Sequence, residues 1–197
     1  MTLAEQVLAL YERTGALLNG HFVLSSGLHS PRYLQSARVL QWPDEATWLG
    51  REIAEKAEGL GVQAVVAPAL GGIVVAQEVA RGLAVRALFV ERVDGKFALR
   101  RGFELDPGEK VLVVEDIVTT GLSTSETIGV VRDMGAAVVG AAAIIDRSGG
   151  KAILDVPLFS LASLSIPAYA EADCPLCRDG VPATKPGSRG IGAPAAR

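Results

Sequence analysis

The sequence predicts an α/β fold: a mostly parallel central sheet flanked by helices, with a small lid near the N-terminus. Three observations carry that expectation. Short runs rich in Val, Ala and Ile alternate with amphipathic stretches, which is the rhythm of strand–helix–strand units. The apolar runs are continuous rather than alternating, as strands covered on both faces require. The length of 197 residues, 49% of them hydrophobic, suits one domain able to bury about two thirds of its unfolded surface.

The elements follow in order. Residues 2–14 read as an amphipathic helix. Residues 21–24 and 32–36 read as strands joined by SSGLHSP, and the stretch from about 15 to 40 forms the lid. A helix over 44–59 carries Trp48, Ile53, Ala54 and Ala57 at helical spacing. Strand 64–67, helix 73–82, strand 84–90, strand 111–115, helix 124–134 and strand 138–145 complete the alternation. Gly59, Gly82 and Gly135 are the expected helix stops. Between the strands at 84–90 and 111–115 lies a cationic, glycine-containing flap over 91–103. From Ser165 the chain is rich in proline turns, and its last residues, 186–197, are expected to form a mobile tail.

Composition narrows the function classes. Nineteen basic residues stand against 22 acidic ones, net −3, which offers no sequence-wide attraction for nucleic acid. No run of about 18 apolar residues occurs. The N-terminus has early acids and no basic segment before its apolar residues, so a signal peptide is not expected and the chain is expected to be cytoplasmic. The two cysteines, Cys174 and Cys177, form one CPLC pair. CPLC resembles half a zinc site, but there is no second cysteine pair. His21 and His29 lie far away in sequence, so no four-ligand set is legible. Either histidine could act as an acid or base, but contact with solvent or backbone is the expectation.

The chemistry is concentrated in residues 110–132, KVLVVEDIVTTGLSTSETIGVVR: a strand, an acidic pair, a hydroxyl-and-glycine loop, then a helix. In a parallel sheet, ligands bind beyond the carboxyl ends of strands, where Glu115 and Asp116 fall. The loop 119–124 supplies successive amides and hydroxyls, and the helix that follows adds its positive end. A phosphate monoester fits that cradle, and two carboxylates suit the vicinal hydroxyls of an attached sugar. Taken singly, acids after a strand and a Ser/Thr cap before a helix are ordinary; together they point to a sugar phosphate. The mononucleotide G-x-x-x-x-G-K-[ST] and dinucleotide G-x-G-x-x-G patterns are both missing. No Ser-His-Asp or Cys-His arrangement is evident.

At VVEDIVTTGLST the sequence resembles the type I phosphoribosyltransferases, with Leu122 standing where many members carry a second glycine. HFVLSSGLHSPRYLQ, Ala69–Ile73, ERVDGKFALRRGF, IIDRSGG and CPLCRDGVPATKPGSR extend the resemblance over most of the chain, to the orotate-specific branch of that family. The resemblance implies one phosphoribosyltransferase domain over 1–197, acting in pyrimidine biosynthesis on phosphoribosyl pyrophosphate (PRPP) and orotate. It also implies a homodimer whose flap reaches the neighbouring subunit.

It further implies roles residue by residue. Glu115 and Asp116 hold the ribose hydroxyls, while Thr119, Thr120, Gly121, Ser123 and Thr124 hold the 5-phosphate. Ala69, Gly71 and Gly72 in the APALGG turn approach pyrophosphate; no lysine occurs between Lys56 and Lys96, although some members carry one in this turn. Arg92 and Lys96 in the flap act on the leaving group, with Arg100 and Arg101 as further cations against Glu91 and Asp94. Arg92, Lys96 and Asp116 are the catalytic candidates. Orotate falls to Arg147, whose forked guanidinium matches a carboxylate, with Ser25, Ser26, Gly27 and Thr119; Tyr33 packs near the ring. Some members carry a lysine at the position of Ser25. Mg²⁺ is the implied cofactor, held mainly by substrate oxygens with no direct protein ligand. Two other readings stay open: a type I phosphoribosyltransferase for a purine or another base, and a non-catalytic PRPP-sensing regulator. Against the regulator, the chain has no spare length for a helix-turn-helix domain.

Overall fold

A computed structural model describes residues 1–24 and 26–186. The expected site residue Ser25 and the tail beyond Pro186 lie outside the described residues. The chain divides into two compact units: Met1–Ala16 with Ser36–Ser165, and Leu17–Gln35 with the segment from Ile166 onward. In chain order the elements are α1 (Leu3–Arg13), β1 (Leu17–Val23), β2 (His29–Leu34), α2 (Ala37–Leu40), α3 (Pro43–Lys56), β3 (Ala64–Pro68) and α4 (Gly71–Leu83). They continue with β4 (Arg86–Val93), β5 (Lys96–Leu99), β6 (Lys110–Val118), α5 (Leu122–Asp133), β7 (Ala137–Asp146), β8 (Leu158–Ser163) and α6 (Pro175–Arg178).

The larger unit is a six-stranded sheet in the order β5-β4-β3-β6-β7-β8. Only β5 runs antiparallel to its neighbour; β3, β4, β6, β7 and β8 pair in parallel. The continuous apolar runs therefore mean what they were read to mean. On one face, Ala64, Val66, Val111 and Val113 pack with Ile128 and Val131 of α5. The alternate residues Val65, Ala67, Leu112 and Val114 are also buried, and Gly72 of α4 lies against Ala67 on that side. The chain leaves β3 in one direction to reach β4 and returns to β6 on the other side. The sheet thus reverses its winding between β3 and β6.

Local sequence explains the helix limits. Thr2 and Glu5 form a reciprocal capping box at the start of α1, with Glu5 N–H donating to Thr2 Oγ1 and Thr2 N–H to Glu5. Pro43 begins α3, with Asp44 and Glu45 in its first turn. Gly82 is not the helix stop that its position suggests. Helix α4 continues to Leu83, and Ala84, at φ 55°, makes the left-handed cap. Gly82 instead gives room: a Cβ there would lie 2.7 Å from Ala54 Cβ, and one at Gly50 would lie 2.4 Å from Glu78 Cβ. These glycines let α3 and α4 cross in close contact.

Two strands went unread in the sequence. Strand β8 is a half-buried edge strand that follows prolines and glycines, and its short run FSLAS has no strong period. Strand β5 lies inside the flap, where Lys96 and its polar neighbours obscure the pairing with β4.

The smaller unit is a β1–β2 hairpin with a one-residue irregularity between Asn19 and Phe22. The C-terminal segment is joined to it by backbone bonds: His29 and Tyr169 exchange N–H···O bonds of 2.8 and 2.9 Å, Val23 N–H donates to Thr184, and Thr184 N–H donates to His21. The hairpin and the segment from Ile166 therefore form one unit despite their separation in sequence.

Candidate active site

Strand β6 is buried from Val111 to Glu115 and carries the acidic pair close to its carboxyl end. Glu115 is 8% exposed. Burial, and then the Asp116 carboxylate beside it, pushes the Glu115 carboxyl from an ordinary 4.5 up to about 9. At neutral pH Glu115 therefore keeps its proton, beside the more exposed Asp116. Such a pair can both donate to and accept from neighbouring hydroxyls.

The hydroxyl loop follows at once. Thr119 and Thr120 are exposed, and Gly121 is the N-cap of α5 with φ 82° and no side chain closing the helix end. A Cβ at Gly121 would come within 3.3 Å of Ala152 and Leu154, so both conformation and space call for glycine. The Leu122 amide is turned back on Thr120 Oγ1 at 3.3 Å, and Ser125 N–H donates to Gly121 O at 2.8 Å. The amides of Ser123 and Thr124 belong to the first turn, where a helix has no internal acceptor. Together Glu115, Ile117, Val118 and residues 119–124 line one cleft. The Thr124 side chain is buried, so its contribution to a ligand is its amide rather than an exposed hydroxyl.

The APALGG turn joins this site from β3. Its Ala69–Leu70 peptide is cis, and Ala69 N–H donates to Val90 O. A Cβ on Gly71 would lie 2.7 Å from Asp116 Oδ1, and one on Gly72 would lie 3.2 Å from Val114 O. The turn is thus packed directly on the acidic strand, at the point where the sheet reverses its winding. Arg147 begins the loop after β7. Its N–H donates to Val118 O at 2.8 Å, next to the ladder pair Val118 and Asp146, which sets it beside the start of the hydroxyl loop. The Asp146 carboxylate accepts the amides of Ser148 and Gly150 and so shapes that loop.

The flap is an ordered hairpin rather than a loose loop. β4 and β5 are joined by Asp94 and Gly95 with φ of 50° and 82°, the backbone of a tight two-residue turn. Gly95 is required by that turn. Arg92 is already engaged: it donates to Gly95 O and to Glu126 of α5, both at 2.6 Å, and stacks 4.1 Å above the Phe97 ring. Arg101 pairs with Glu91. Among the described residues neither Lys96 nor Arg100 forms an ion pair. Sequence reasoning did not single out Glu126; its signal is an acid one turn into the helix that opens on the hydroxyl loop.

The remaining expected residues lie in the smaller unit. Ser26 and Gly27 are exposed in the β1–β2 turn, and Tyr33 packs on Phe22 with ring centroids 5.8 Å apart. His21 and His29 are buried and in contact with each other and with CPLC, an assembly that the sequence spacing concealed.

Residues 38–162 match the family model for the phosphoribosyl transferase domain. The chain belongs to the phosphoribosyltransferase family. That matched segment contains the acidic pair, the hydroxyl loop and the APALGG turn, so the family assignment and the site geometry rest on the same residues. Among phosphoribosyltransferases, the chain is 53% identical over 187 residues to the orotate phosphoribosyltransferase of Desulforamulus reducens, covering 95% of this chain and 98% of that protein. It is 52% identical to the orotate phosphoribosyltransferase of Thermotoga maritima, covering 92% and 97%. The crystal structure of orotate phosphoribosyltransferase from Aeropyrum pernix superposes with a TM-score of 0.66 at 28% identity, covering 80% of this chain and 93% of that one. Among the described residues no helix is long and apolar enough to cross a membrane.

Proposed function

We propose that this phosphoribosyltransferase transfers the phosphoribosyl group of PRPP to orotate, giving orotidine 5-phosphate and pyrophosphate. The observation that carries the reading is the continuity of acidic strand end, glycine-cornered hydroxyl loop and uncapped α5, with the APALGG turn packed on Asp116. That arrangement suits a phosphate, a ribose and a second phosphate group in a row. Close relatives over nearly the whole length carry the orotate activity in their names.

In this reading the amides of Thr119, Thr120, Gly121, Ser123 and Thr124, with the hydroxyls of Thr119, Thr120 and Ser123, bind the 5-phosphate. Glu115 and Asp116 bind the ribose 2- and 3-hydroxyls, and Ala69, Gly71 and Gly72 meet the pyrophosphate. Arg147, with Ser25, Ser26, Gly27 and Thr119, receives orotate. The ring nitrogen attacks C1 as the bond to pyrophosphate breaks, and the electron pair leaves on pyrophosphate oxygen. The protein's contribution is orientation and charge stabilisation. Arg92 and Lys96 meet the growing negative charge, with Arg92 exchanging Glu126 for the leaving group.

The site suits Mg²⁺ held mainly by substrate oxygens, since the Asp116 carboxylate lies beside the proposed pyrophosphate turn without needing to bind the ion directly. When bound with PRPP, the ion neutralises part of the pyrophosphate charge. The active form is proposed to be a homodimer in which the flap serves the neighbouring subunit.

The test is spectrophotometric. Orotate absorbance should fall when PRPP and Mg²⁺ are added to the folded protein, and purine bases should not be consumed. No loss of orotate under those conditions overturns the reading.

A further inference from the structure

The smaller unit has a thin core. Among its described residues the buried apolar side chains are Leu17, Phe22, Leu34 and Ile166, with Cys174. Units of this size usually need a crosslink, a metal or a partner to hold together. At its centre four residues converge: His21 and His29 from the hairpin, Cys174 and Cys177 from the C-terminal segment. One potential ligand atom from each lies within 4.8 Å of all the others.

The distances approximate the edges of a tetrahedron. With Zn–N of about 2.0 Å and Zn–S of about 2.3 Å, tetrahedral edges are about 3.3 Å for N···N and about 3.5 Å for N···S. Cys174 Sγ lies 3.5 Å from His21 Nε2, and Cys177 Sγ lies 3.7 Å from the same atom and 3.2 Å from His29 Nδ1. The two histidine nitrogens are closer, 2.7 Å apart, and need to part by about half an ångström around an ion of that radius.

The tautomer of His21 is fixed by its surroundings. Its Nδ1 lies 2.7 Å from Val181 O, and a carbonyl can only accept, so the ring proton sits on Nδ1. Nε2 therefore presents its lone pair toward the cysteines. A backbone carbonyl holding the far nitrogen of a histidine is the usual outer support of a zinc-bound imidazole. The strand irregularity before Phe22 has the same effect on the backbone: the extra residue turns His21 to the face it shares with His29.

We propose that His21 Nε2, His29 Nδ1, Cys174 Sγ and Cys177 Sγ bind one zinc ion in a closed, structural site. Two sulfur and two nitrogen donors in a tetrahedron select zinc among the available divalent ions, and four protein ligands leave no open position for catalysis. Binding releases the two thiol protons, and the proton on His29 Nδ1 moves to its other ring nitrogen. The ion ties the β1–β2 hairpin to the segment around α6 and supplies the cohesion that the small core lacks.

The test begins with protein purified under reducing conditions, without a chelator or a histidine tag. Elemental analysis should find one zinc per chain. Apoprotein should take up Co²⁺ with the visible d–d and thiolate charge-transfer bands of a tetrahedral sulfur-ligated site. Cys177→Ser and His29→Ala should lose the metal and melt at lower temperature. Should those variants fail to fold, the intact protein still decides: both thiols should resist a thiol reagent until a strong chelator removes zinc, and melting should then fall. Metal-free protein with two freely reactive thiols that binds neither Zn²⁺ nor Co²⁺ overturns the proposal, as does a Cys174–Cys177 disulfide in the protein as first isolated.

Discussion

Glu115 behaves unlike an ordinary acid at the end of a strand. Its carboxyl titrates near 9 because burial and Asp116 both oppose its ionisation. The native state therefore holds a proton that the unfolded chain releases near 4.5. This contribution to stability is complete below about 4.5 and is lost as pH rises toward 9. Glu115→Gln keeps the shape and the neutral form, so its melting temperature should fall less than that of the parent between pH 6 and about 9. A pair of thermal denaturation series checks it, and parallel curves would refute it. Lys96 is a second residue whose role can be isolated, since it has no ion pair to lose among the described residues. Lys96→Ala should lower kcat by about tenfold to a thousandfold, the scale of losing one charge-stabilising donor, while orotate binding changes little. Steady-state kinetics with orotate as the varied substrate separates the two effects. The acidic pair and the hydroxyl loop were legible because they are contiguous in sequence. The proton on Glu115 was not, because it depends on burial. The engagement of Arg92 by Glu126 was not, because those residues meet only across folded elements.

At the scale of elements, the glycines at the start of α4 set how closely that helix approaches β6. Gly71→Ala would place a methyl 2.7 Å from Asp116 Oδ1, in contact with a group that the site needs in place. The expected result is a raised KM for PRPP together with a lower kcat, and a melting temperature close to the parent's. At the α3–α4 crossing the reverse holds. A Cβ at Gly50 would meet Glu78 backbone and Cβ together, so Gly50→Ala should cost about 1–3 kcal/mol in chemical denaturation with little effect on KM. The parallel strands and the main helices could be read from the sequence because each announces itself by a local period. Gly82 misled because a glycine near the end of an apolar period resembles a stop, whereas here its job is set by Ala54 on another helix. The edge strands β5 and β8 escaped because an edge needs neither a continuous apolar run nor a clean alternation.

At the scale of the whole molecule, sharing the flap between subunits makes a sharp prediction. Lys96→Ala and Asp116→Asn each impair a different part of the site. If the flap serves the partner, mixing the two separately impaired proteins and allowing subunits to exchange should raise activity above either variant alone; unchanged activity in a mixture shown to exchange would mean that each flap serves its own subunit. The larger unit is the part of the molecule that the sequence described best. The smaller one was half visible: CPLC could be seen, but the histidines facing it are separated from it by the entire sheet domain in sequence.

That separation has a consequence in time. The hairpin Leu17–Gln35 leaves the ribosome early, but the segment with which it folds begins at Ile166, roughly 130 residues later. At about 5–20 residues per second, the hairpin waits several seconds or more for its partner segment and for both cysteines. The sheet domain can take shape during that interval, so the smaller unit is the last to close. A stalled or clipped chain would therefore show its damage first as an open hairpin whose two histidines lack their cysteines.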